Sequence, residues 1–143
     1  MARNNKLNEY SLTLLRVVLG VIFAYHGYVK LFAQGQLLST ADFFTQIGIP
    51  LANVSAVVVA FAEFIGGALL LIGLLTRWTS LILIFEMLVA FFKVHLKSGF
   101  FISSKAYGYE FVLLILASLF VILINGAGAF SFGKKFFKGK GWQ

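Results

Sequence analysis

Few side chains in this chain can do acid–base chemistry, and most of them stand where water is scarce. Its 143 residues include five Asp and Glu, two His and no Cys. Glu63, Glu86 and Glu110 interrupt apolar runs; so do His26, His95, Lys30 and Arg16. A carboxyl group in such a place can hold or release a proton, and an imidazole can do the same or ligate a metal. Two histidines from separate segments could ligate a haem, but two alone are more simply read as interhelical hydrogen bonding. Ligands for zinc are few and unspaced, so no metal site is expected. Without cysteine there is no disulfide framework, no thiolate metal centre and no dithiol relay within this chain.

The elements that position these groups follow from composition. Hydrophobic residues make up 60% and charged residues 12%, against the roughly 45–50% and 25% of a soluble domain. Mean hydropathy is +0.93. A lipid bilayer is the expected solvent. The net charge of +7 is spread over segment ends and the C-terminal stretch, with no basic stripe interleaved with stacking aromatics, so nucleic acid is a poor partner. A bilayer core about 30 Å thick requires roughly 20 apolar residues per helix. Four stretches come close or exceed it: 11–32, 53–75, 79–95 and 107–125. Backbone groups in lipid must be satisfied within each segment, which makes all four helices. The expected fold is an all-α membrane protein, a four-helix antiparallel bundle forming one domain. The first run is too long, and too rich in Arg and His, for a cleaved leader. Between the first two runs, 41–47 could form a short amphipathic helix on the membrane surface.

Orientation follows from the basic residues. Arg3, Lys6, Arg77, Lys134, Lys135, Lys138 and Lys140 collect on the side of the termini, against Lys30, Lys93, Lys97 and Lys105 on or near the other. Both termini are therefore expected in the cytoplasm, with the protein in the cell's plasma membrane. The tail 134–143, four lysines with Phe136, Phe137 and Trp142, would rest on anionic headgroups.

Depth can then be estimated at about 1.5 Å per residue. Glu63 falls about 15 Å below the outer boundary, near the midplane, while His26, Lys30, His95 and Glu110 fall in the outer half. With Tyr109, these five groups form the expected polar pocket of the bundle. Lys30, Lys93 and Glu110 are close enough to a boundary to snorkel instead. Glu63 is not. Glu63 precedes Gly66 and Gly67, small residues that allow close helix approach. Arg16 and Glu86, placed at similar depth in the inner half, are expected to pair as structural glue.

The ordered residues resemble the DoxX family of small four-helix membrane proteins, related to the DoxD and MauE groups. The resemblance runs from Leu15 to Ser131. It comprises Arg16, His26-Gly27, Lys30-Leu31, Gly48 with Pro50, Glu63 ahead of Gly66-Gly67, and Gly73-Leu74 with Thr76-Arg77. Met87, Ala90, His95, Gly108-Tyr109-Glu110, Gly126-Ala127-Gly128 and Ser131 complete it. Where the family's last turn has proline between its glycines and aspartate after the serine, this chain has Ala127 and Gly133. The resemblance implies a membrane component of a redox system, linked to a quinone or to an oxidoreductase partner. In that reading His26 and Glu63 would hydrogen-bond a quinone and exchange protons with it. Two other readings compete: a structural or assembly subunit with a polar register-setting core, and a proton-coupled small-molecule transporter working through Glu63. The four helices and missing internal repeat argue against the last unless the protein self-associates.

Overall fold

The computed structural model describes residues 2–103 and 106–133, so the basic tail expected on the membrane surface lies outside the described residues. Helix α1 spans Ala2–Phe32, α2 Gln36–Gln46, α3 Ala52–Ile72 and α4 Thr76–Ala90. The chain winds on through a π-helical turn, Phe91–His95, and a 3-10 turn, Leu96–Ser98. A minimal hairpin of β1 (Ile102–Ser103) and β2 (Ala106–Tyr107) then leads into α5, Glu110–Asn125. Among the described residues, three stretches are long and apolar enough to cross a membrane: Lys6–Phe32, Ala52–Ile72 and Thr76–Ser98. The fourth apolar helix, α5, has 16 residues, about 24 Å of rise. It starts later than the expected 107 because Ala106 and Tyr107 are spent in the hairpin.

Two boundaries shift for identifiable reasons. Helix α3 stops at Ile72 because Gly73 takes φ 71°, with its N–H donating to Leu70 O and the Leu74 N–H donating to Leu69 O. That is a glycine C-cap. Leu75 also adopts a left-handed conformation, φ 50°, and α4 begins at Thr76, three residues before the expected 79. The link between these helices is thus Gly73–Leu75. Helix α2 likewise starts at Gln36, directly after the left-handed Gly35, and packs on α3, with Ala41 buried.

Small residues draw α1 and α3 together. Gly20, Ala24 and Gly27 on α1 lie against Leu71, Gly67 and Phe64 on α3, so the two helices are antiparallel and in near-backbone contact. On the other side of the core α4 packs on α5. Leu19, Phe23, Leu70, Leu83, Ile84, Val112, Ile115, Leu119 and Ile122 fill the space between. Outward-facing Leu14, Phe85, Phe92 and Leu114 remain exposed, which suits lipid rather than water.

Candidate functional site

The α3–α4 hairpin sets the geometry. Glu63 stands ten residues before Gly73 and Glu86 ten residues after Thr76, so a three-residue turn brings both to the same height. The Glu86 carboxyl lies beside that of Glu63 and feels the Lys30 ammonium. Lys30 closes the group from α1: its Nζ donates to Glu63 Oε2 in a direct ion pair. Glu63 is 4% exposed, and Lys30 reaches it from a half-buried position through its long stem. Three helices thus place two carboxyls and one ammonium at the centre of the bundle. Arg16, nearer the N-terminus of α1, is a further basic side chain buried in the interior.

The other expected pocket members sit elsewhere. His26 shares a helical face with Lys30, yet it is exposed at the bundle surface. Its short imidazole cannot follow the lysine stem inward. His95 is half-buried in the π-helical turn. Tyr109 packs edge-on against Phe91, with ring centroids 5.6 Å apart, and against Phe100 at 5.3 Å. Glu110 Oε1 accepts the Ile102 N–H at 2.7 Å. Gly108 lies directly on the Phe101 backbone, where a Cβ would meet the carbonyl carbon at 2.2 Å. Gly108-Tyr109-Glu110 therefore builds the cap at this end of the bundle: close approach, aromatic wedge, and acceptor for a hairpin N–H.

The expected Arg16–Glu86 pair does not form. Arg16 is 1% exposed and donates to backbone carbonyls: Nε to Ala127 O at 2.9 Å, and Nη1 to Leu71 O at 2.8 Å and to Leu70 O. Leu70 and Leu71 lie in the last turn of α3, where carbonyls lack the regular i+4 donors, Leu70 O keeping only the capping Gly73 N–H, and where the helix dipole is negative. A guanidinium satisfies both needs. The depth estimate failed for Glu86 because it counted from Thr79, whereas α4 starts at Thr76, about one turn lower. The signal in the sequence is the near-equal spacing of Glu63 and Glu86 from the Gly73–Leu75 turn, ten residues before it and eleven after.

Arg16 also orders the segment after α5. Thr13 Oγ1 donates to Ala129 O, the Ala129 N–H to Glu9 O, and both Ser131 Oγ and the Gly133 N–H to Gly73 O. Gly126 and Gly128 take positive φ within this segment. Arg16→Lys keeps the charge but loses the fork that serves three carbonyls at once. Expected is a loss of about 2 kcal/mol, roughly two unmet hydrogen bonds. Faster amide exchange at 127–133, with the Tyr109–Glu110 cap unchanged, is the measurement that checks it.

A small helical membrane protein with a buried ion pair and a buried, carbonyl-bound arginine is the class defined by this fold and site. The chain belongs to the DoxX family, whose profile covers residues 11–96. Over 95% of this chain and 94% of the relative it is 35% identical to the Bacillus subtilis protein named "Putative oxidoreductase CatD". An "Uncharacterized protein" of Haemophilus influenzae is 34% identical, over 93% of this chain and 96% of its own. A second one from the same organism is 29% identical over 92% and 89%. No solved structure matches the chain. The profile takes in Arg16, Lys30, Glu63 and Glu86, whereas α5 and the Gly126–Ser131 segment lie beyond it.

Proposed function

We propose that this protein is an accessory component of a plasma-membrane redox system, working beside an oxidoreductase partner, with four spans and both termini in the cytoplasm. The observation that carries the reading is the Lys30–Glu63 ion pair with Glu86 beside it, held at mid-depth among α1, α3 and α4. Two carboxyls and an ammonium each cost insertion energy, and charged groups kept at such depth mark a path for protons, ions or a ligand. The name carried by the B. subtilis relative points the same way.

A quinone headgroup suits this centre. Its carbonyl oxygens accept hydrogen bonds, which Lys30 Nζ can donate, and reduction to the quinol takes up two electrons and two protons. The electrons would come from the partner, since this chain has no thiol to relay them. The carboxyl pair would pass a proton to the ring oxygen. Of the original pocket, His26, His95, Tyr109 and Glu110 would then shape the outer approach rather than touch the headgroup.

Protein purified from native membranes is expected to release a quinone on solvent extraction, with Glu63→Gln carrying about tenfold less, the worth of one charge-assisted hydrogen bond. A protein without any copurifying chromophore, and unchanged quinone reduction in Glu63→Gln membranes, would defeat the redox reading. One observation favours a second function, assembly: Lys30 and Glu63 already satisfy each other, as register-setting groups do. In that case partner capture survives Lys30→Met/Glu63→Leu while quinone content never depended on it.

A further inference from the structure

Two carboxyls meet one ammonium in the Lys30–Glu63–Glu86 group, and the charges do not balance. Lys30 Nζ donates to Glu63 Oε2, which makes Glu63 the ammonium's partner. The Glu86 carboxyl is in hydrogen-bond contact with that of Glu63. Its Oε2 is buried and, among the described residues, has no hydrogen-bond partner, so Oε1 is the oxygen that meets Glu63.

The ionisable groups around them are turned away or already engaged. On α1, Tyr25, His26 and Tyr28 are exposed, and Arg16 serves the Leu70, Leu71 and Ala127 carbonyls. Leu70 stands seven residues from Glu63, about 10 Å along α3. Asp42 on α2 and Lys93 in the π-helical turn are exposed, while Arg77, His95, Tyr109 and Glu110 stand at the ends of their elements.

A carboxylate only accepts, so two carboxylates cannot bond to each other, whereas a carboxyl that keeps its proton can donate it. Two carboxylates beside one ammonium would also leave the group net negative among apolar helices, and adjacent carboxyls resolve such crowding by sharing a proton. One proton answers all three points. It gives the carboxyl contact a donor and brings the group to neutrality. It also makes Glu86 Oε2 a neutral carbonyl oxygen, which costs less to leave without a donor than a charged one.

We propose that Lys30, Glu63 and Glu86 form a one-proton binding site, the proton resident on Glu86 Oε1 and donated to a Glu63 carboxylate that Lys30 holds. How the proton is used rests on the redox reading: Glu86, rather than Glu63, gives it to the ring oxygen and is left a carboxylate. Its residence does not, since the proton sits on Glu86 with or without a quinone.

Infrared absorption of the full chain tests this, in maltoside micelles (which carry no carbonyl) and after purification until no quinone can be extracted. Expected at neutral pH is the C=O stretch of one protonated carboxyl per chain. Its frequency should be high, as for a carbonyl without a donor, and should fall when D2O replaces H2O. Glu86→Gln should abolish the band by removing the group. Glu63→Gln should abolish it too, because Lys30 then pairs with Glu86 and holds it as carboxylate. The wild-type band needs no variant to fold. No band in the wild type, or one that outlasts either Gln variant, would overturn the proposal. A band in protein whose quinone content ignores Glu63→Gln supports the proton site and sinks the redox reading alone.

Discussion

Gly67→Val should prevent α1 from docking on α3. A Cβ at Gly67 would stand 2.2 Å from Ala24 N and 2.7 Å from its Cα, inside the backbone of the neighbouring helix. No rotamer change relieves a clash with a main chain, so the helices must separate, and the Lys30–Glu63 pair is pulled apart with them. The expected loss is at least about 3 kcal/mol, the upper end of overpacking costs. Thermal unfolding in detergent reads it directly. The neighbouring Gly66 supplies the contrast, since its Cβ would point at Thr79 Cγ2 and Leu83 at 3.3 and 3.5 Å, side chains that can give. Gly66→Ala should therefore stay within about 1 kcal/mol of wild type. Equal behaviour of the two variants would show that α1 and α3 are not in backbone contact.

The ion pair should be strongly asymmetric. Removing one partner of a buried pair costs about 3–5 kcal/mol, because the survivor is left charged and dry. Lys30→Met should show that full cost: Glu63 is 4% exposed, mid-helix, and left facing another carboxyl. Glu63→Leu should cost less, about 1–2 kcal/mol, since Lys30 can turn toward Glu86 or run its stem out to the nearer boundary. The double replacement restores apolar packing and should lie within about 1 kcal/mol of wild type. A double-mutant cycle on thermal or denaturant unfolding in micelles measures the coupling. Two equal single losses that add without coupling would mean that the groups do not pair in the bilayer.

The polar centre was legible in the sequence to the extent that depth governs it. Counting along antiparallel helices puts Lys30 and Glu63 at compatible heights, and only apolar runs of those lengths are needed for the count. Side-chain reach is not in that count, which is why His26, four residues from Lys30 on the same face, is exposed while the longer lysine stem reaches inward. Glu86 was misplaced by an error of three residues in the start of α4, enough to move it one turn. Arg16 was matched to a carboxylate because sequence displays side-chain charges and hides main-chain acceptors; its partners are carbonyls, identical at every position. The tandem Gly66-Gly67 was read as permitting close approach, and each glycine does so toward a different helix, Gly67 to α1 and Gly66 to α4. The Tyr109–Glu110 cap depended on a hairpin too short to leave a pattern.

The carbonyls that receive Arg16 have a bearing on biosynthesis. They lie 54, 55 and 111 residues further along the chain. When the first span leaves the ribosome, its guanidinium has nothing to bind, and it gains the Leu70 and Leu71 oxygens only once the third helix has followed. Its last neighbour, the Ala127 carbonyl, arrives only after α5. Until then the nascent chain carries an unmet cation that favours retention at the translocon over release into lipid, so emergence of α5 and burial of that charge are coupled events.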